Sequence, residues 1–160
     1  MDAGIVMKFT TKEDIDCPIA HVFAQAADFT GFERQALRRG ADVRKTDQNL
    51  QHGLGSSWDV IFKFRGKDRH LKALITGWEP PNGYSVTSLT NGIEGTVQVD
   101  LVPLSRNRTR LSMSIELKPQ TLGARIMVQS LKLARATLQR RFALRVSDYA
   151  SDIVERYRPI

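Results

Sequence analysis

"IDCPIAHVFAQAADF", residues 15–29, is the stretch on which the reading of the fold turns. It ends an alternating segment, passes through Cys-Pro and enters an alanine-rich run that halts at Asp-Phe. Upstream, Phe9, Thr11, Glu13 and Ile15 alternate with Lys8, Lys12, Asp14 and Asp16, the period of two expected of a strand with one wet face. Pro18 has no backbone N–H and stops that strand. It suits the first turn of a helix, and Ile19, Val22, Phe23 and Ala26 follow at helical spacing. Thr30 to Arg38 reads as a second short helix, with Thr30 as its cap and Gly40 just past its end. The stretch is a strand-to-helix hinge.

Cys17 and His21, four apart within it, invite a reading as nucleophile and base. If Pro18 opens the helix, however, Cys17 sits at the cap, where helical geometry does not bring the two together, and no third group is placed to orient the imidazole. Cys17 is therefore expected as a small buried hydrophobe and His21 as a surface histidine. His21, His52 and His70 are 31 and 18 residues apart, without the paired spacing of a zinc site, so no metal is expected. "GLG" at 53–55 precedes a strand rather than opening a helix, which makes it a tight turn and not a dinucleotide loop. No cofactor is expected either.

Past Gly40 the pattern becomes one of strands and hairpins. Residues 42–48, with Val43, read as an edge strand. Trp58, Val60, Phe62 and Phe64 alternate with Asp59, Lys63 and Arg65; "RGKD" then turns the chain into "RHLKALITGWE", where Leu71, Ala73 and Ile75 share a face. "EPPNG" is a turn by composition, and "YSVTSLT" is followed by Asn91-Gly92, a strong hairpin signal. Val97, Val99 and Leu101 alternate on the next strand, and Leu111, Met113, Ile115 and Leu117 on the last. Short connections favour an antiparallel meander. From about Leu122 to Tyr157 there is no proline, and Met127, Leu131, Ala134, Leu138, Phe142, Tyr149 and Ile153 recur at helical spacing. One uninterrupted helix over that span would be roughly 50 Å long. Sheet and helix, each with one apolar side, must bury each other.

The chain has 160 residues, 41% hydrophobic and 26% charged, so one folded domain covering 1–160 is expected. No apolar run approaches the length of a membrane helix. "MDAGIVMKF" lacks the pattern of a cleaved leader, and Met7 is a plausible start, which would make the first six residues an extension. With a single cysteine no internal disulfide forms, in keeping with a cytoplasmic location. The net charge of +7 raises nucleic acid as a partner. Lys63, Arg65, Lys67, Arg69 and Lys72 crowd one turn against Asp68, Arg106, Arg108 and Arg110 crowd another, and Arg34, Arg38 and Arg39 mark a helix end. These turns lack interleaved stacking aromatics, so a solvated basic surface is the plainer reading.

The hinge, the glycine pair of "GLGSSW" and the strand, Pro-rich turn and strand of "GWEPPNGYSV" together resemble the START-like (SRPBCC) superfamily, the helix-grip fold of the birch-pollen allergens. The resemblance runs from about Val6 to Tyr157. It implies an α+β chain: a curved seven-stranded antiparallel sheet wrapped around a long C-terminal helix, with two short helices between strands 1 and 2. It also implies a cavity between sheet and helix for a hydrophobic small molecule. Trp58, Phe62, Phe64, Leu71, Ile75 and Val97 would line it from the sheet together with Val99, Met113 and Ile115, and Met127, Leu131 and Leu138 from the helix; the same residues equally suit a filled core. Arg145 falls near the apolar stripe, where a lone charge is costly. It either snorkels past the sheet edge or pairs with Glu13 as a polar anchor.

Binding or carriage of a lipid, isoprenoid or polyketide-like molecule follows as the expected function. A polyketide cyclase or dehydratase is the alternative; it would need an inward acid, base or oxyanion donor, for which Tyr84, His70 and Arg145 are the candidates and no paired carboxylates are placed. A third reading is docking of RNA or an acidic protein on the basic turns.

Overall fold

The computed structural model describes residues 6–159. All but the last residue of the sequence-read N-terminal extension, residues 1–6, therefore lies outside the described part. Strand β1 (Met7–Ile15) leads into helices α1 (Ile19–Ala26) and α2 (Phe29–Arg38). Six strands follow: β2 (Asp42–Lys45), β3 (Ser57–Phe64), β4 (Lys67–Glu79), β5 (Gly83–Thr90), β6 (Ile93–Ser105) and β7 (Arg108–Pro119). Helices α3 (Leu122–Lys132) and α4 (Arg135–Glu155) close the chain. The strands form one antiparallel sheet in the order β1-β7-β6-β5-β4-β3-β2.

Local chemistry explains most of these boundaries. Pro18 is extended, with φ −62° and ψ 149°, and hands over to α1 at Ile19. The cap of α2 is Asp28, not Thr30: its Oδ1 accepts from the Gly31 amide at 3.0 Å, satisfying one of the orphan donors of the first turn. The two tightest hairpins turn on Arg65-Gly66 (φ 54° and 76°) and Asn91-Gly92 (φ 49° and 74°), the paired positive φ values that match the twist of flanking strands. Register slips between Ile75 and Gly77 and between Pro103 and Ser105 bend the sheet.

The expected uninterrupted C-terminal helix is corrected to two. At Leu133 and Ala134 the amides bond three residues back, to Ser130 and Leu131, and the regular pattern resumes when Leu138 N–H reaches the Ala134 carbonyl. Neither proline nor glycine marks the break. The apolar stripe would instead place Arg135 on the buried side, where an unpaired guanidinium is costly. With the axis broken, Arg135 lies over the Phe9 ring at 5.6 Å and donates to the Lys8 carbonyl at 3.0 Å. Gln139 donates to the Thr10 carbonyl at 2.8 Å. Helix α4, roughly 30 Å long, thus runs along β1 and supplies donors to the carbonyls of that edge strand.

Two apolar clusters hold the layers together. Val146, Ala150 and Ile153 of α4 bury against Ile15, Cys17, Val22, Val99, Leu101 and Leu111. Ala124 and Val128 of α3 bury with Met7, Phe9 and Ile93.

Candidate functional site

Helix α2 carries Phe29, Phe32, Glu33 and Ala36 at spacings that share one side, and this side hangs over β2, β3, β4 and β5. Between them lies an apolar groove of about 260 Å³, walled by Phe29, Phe32 and Ala36 above and by Val43, Trp58, Val60, Ala73 and Val86 below. Glu33 is the one charged side chain in its lining. A second groove of about 620 Å³ adjoins it, sharing Phe32, Ala36 and Val60 and extending past Gln35, Arg39, Gly40, Phe62 and Lys63.

The inner end is closed by aromatics. Phe29 stacks on Trp58 with centroids 5.4 Å apart and meets Tyr84 edge-on at 5.2 Å. Phe23 packs on Trp78 at 5.4 Å, and His52 sits 5.6 Å from Trp58. The Trp58 indole N–H donates to Glu33 Oε1 at 2.7 Å, and His52 Nε2 stands 3.6 Å from the same oxygen. His52 is delivered by the loop between β2 and β3, which Asp47 fastens by accepting from the Ser57 and Asn49 amides at 3.0 Å each and from Lys45. Those hydrogen bonds, the one from Ser57 foremost, pull the Asp47 carboxyl down to about 2.

Of the lining read from sequence, this place brings together Trp58 and Phe62. Ile75 and Val99 are fully buried in the main core, with Val97 and Met113 packed on it. Leu71 and Ile115 are half-buried. Leu131 and Leu138 pack on the Met7 and Phe9 cluster. Three of these positions are open to solvent. Phe64 is half exposed at the end of β3, with the Arg65 guanidinium 5.2 Å over its ring. Met127 is 40% exposed, since Ala124, Val128 and Leu131 are the residues that α3 turns inward. Arg145 is exposed, and no ion pair joins it to Glu13 among the described residues.

Phe29, Phe32, Glu33 and Ala36 were not read as site residues. Their i, i+3, i+4, i+7 spacing was the available signal, and it is the ordinary signature of a helix that packs. Cys17 and His21 are not a reactive pair: Cys17 is fully buried, which pushes its thiol up, and His21 Nε2–H donates to the Ile153 carbonyl at 2.9 Å. Tyr84 is buried with its hydroxyl on the Ala26 carbonyl, and His70 is exposed. The basic turn at Arg108 and Arg110 is matched by acids, Arg110 gripping Asp14 through two bonds of 2.8 and 3.2 Å and Arg108 lying within 3.7 Å of Asp14 and 3.6 Å of Asp16.

A sheet in this order, gripping a C-terminal helix and carrying two short helices after its first strand, has clear likenesses of fold among solved structures. The Zhui aromatase/cyclase from a Streptomyces superposes with a TM-score of 0.65 at 12% identity, over 96% of both chains. Norcoclaurine synthase from Thalictrum flavum, solved with dopamine and hydroxybenzaldehyde, gives 0.64 at 13% identity, over 97% of this chain and 90% of that one. The chain has the helix-grip fold. A Thermus thermophilus protein of the same helix-grip form gives 0.64 at 12% identity, over 93% and 98% of the two chains. No protein-family model and no curated protein sequence matches the chain. No helix among the described residues is long and apolar enough to cross a membrane.

Proposed function

We propose that this helix-grip chain binds a hydrophobic small molecule, of lipid, isoprenoid or polyketide-like character, in the groove beneath α2. The observation that carries the reading is the groove itself: two aromatic rings of α2 and Trp58 enclose aliphatic strand residues, with one carboxylate among them. Such a lining takes up apolar surface at about 25 cal/mol per Å² removed from water and offers a single polar group for orientation. The helix-grip proteins whose structures are known with aromatic ligands or named as cyclases support the class of guest, at the level of fold. The expected cavity beneath the C-terminal helix is replaced in this reading by the space under α2, because Val146, Ala150 and Ile153 are packed into the core. A single buried, unpaired Cys17 fits work in the cytoplasm.

Glu33 and His52 support a second reading, cyclase-like chemistry, because a carboxylate and an imidazole 3.6 Å apart at the aromatic inner end of an apolar groove can pass a proton. Binding comes first in either case. Ala73→Phe fills the groove from its floor. The variant is expected to keep its circular dichroism and lose uptake of a fluorescent apolar probe and any ligand retained in native mass spectra of protein purified from cells. Unchanged uptake by a folded Ala73→Phe protein would defeat the proposal.

A further inference from the structure

The two adjoining grooves are chemically unlike, and their order along α2 is fixed. From Phe29 to Arg39 the helix advances roughly 15 Å. At the Phe29 end the lining is aromatic, with Glu33 already engaged by Trp58. At the other end Arg39 and Lys63 line the wider groove with Gln35, and that groove's lining includes no acid. Arg39 and Lys63 are both exposed, and neither has a carboxylate within ion-pair distance among the described residues. A helix C-terminus is itself negative and would repel an anion. Here the carbonyls of Gln35, Ala36 and Leu37 are occupied by the amides of Arg39, Gly40 and Ala41, and Arg38 and Arg39 stand at that end. The net sign presented to a guest at this mouth is positive.

Resting on the binding reading above, we infer that the guest is an anionic amphiphile: an apolar chain lying under α2 with a carboxylate or phosphate head held at the mouth by Arg39 and Lys63. Glu33 sets the direction. A carboxylate at the inner end repels a second anion, so the head faces outward and the tail goes in. A neutral or cationic head of equal chain length forgoes the two charges at the mouth.

Matched probes test this: dodecanoate, dodecyl phosphate, dodecanol and dodecylamine, each titrated against the whole protein by displacement of a fluorescent apolar dye. Both anions are expected to bind about tenfold more tightly than dodecanol, with dodecylamine weakest, as two exposed charge contacts provide. Arg39→Glu/Lys63→Glu, changed together, is expected to remove that advantage, read as the ratio of anion to dodecanol affinity within the same variant. Added salt is expected to weaken the two anions, to relieve the handicap of dodecylamine, and to leave dodecanol unaffected. Equal binding of all four probes, or an anion advantage that survives the double variant, overturns the inference and leaves the groove reading standing. If no probe displaces the dye from the native protein, both readings fall. A preference for one anion over the other identifies the head group.

Discussion

The Tyr84 hydroxyl donates to the carbonyl of Ala26 at 2.6 Å, across 58 positions of sequence. Ala26 is the last residue of α1, whose final carbonyls have no partner within the helix. One residue earlier, the Gln25 carbonyl receives the Tyr149 hydroxyl at 2.7 Å. The strand and the C-terminal helix thus each finish α1 with a phenol. Tyr84→Phe leaves a buried carbonyl bare and is expected to cost about 1–2 kcal/mol of unfolding free energy, read from urea denaturation. A loss within error would show that the bond contributes nothing net.

Alkali should act through the same pair. Burial pushes the Tyr149 phenol up to about 12 and that of Tyr84 higher still. A phenol whose folded-state pKa exceeds its unfolded value of 10.0 contributes fully below that pH and loses its contribution as the pH climbs toward the folded value. Stability is therefore expected to fall from about pH 10 upward, and Tyr149→Phe to flatten part of that fall. Thermal melts across this range check it; an identical slope in the variant would rule the phenol out as the cause.

Trp58 and Glu33 join the sheet to α2 at the groove. Trp58→Phe keeps the ring stacked on Phe29 but removes the N–H, and the expected cost is about 1 kcal/mol, reduced because Glu33 is partly open to water. Glu33→Gln retains an acceptor and is expected to lose less. The reverse ranking in denaturant melts would show that packing, not the hydrogen bond, sets the effect.

Acid should loosen the loop that bears His52. The Asp47 carboxyl, held at about 2 by the Ser57 and Asn49 amides and Lys45, contributes above its unfolded value of 3.8 and loses that contribution as the pH falls toward 2. Hydrogen exchange at the Ser57 and Asn49 amides is expected to accelerate over that window in the native protein. In Asp47→Asn the exchange should be fast already at neutral pH.

Cys17 offers a simple check on the hinge. The thiol is fully buried and its pKa is raised, first by desolvation and then by Asp16. A thiol-specific reagent is expected to react slowly with the folded chain and promptly in denaturant. Fast labelling without denaturant would mean that the junction of β1 and α1 opens readily.

Hairpin chemistry and alternation made the sheet legible: Arg65-Gly66 and Asn91-Gly92 turn where their side chains demand, and Pro18 stops β1 on schedule. The break at Leu133 was hidden because the apolar stripe runs through it in phase, and what decides it is a contact with Phe9 and Lys8, more than a hundred residues away. The site was hidden for a related reason. Trp58 and Phe62 advertise an inward strand face, but a strand cannot announce which helix will cover it. The contribution of α2 arises from the bend at Asp28, which swings Phe29, Phe32 and Glu33 over β3.

The donors that Arg135 and Gln139 send to the carbonyls of Lys8 and Thr10 also govern how the molecule meets others. An open strand border invites a foreign backbone to zip alongside it. Here that invitation is withdrawn by the chain's own helix. Along the stretch of β1 from Lys8 to Thr10, then, another polypeptide would have to displace Arg135 and Gln139 before it could be recruited as an eighth ribbon.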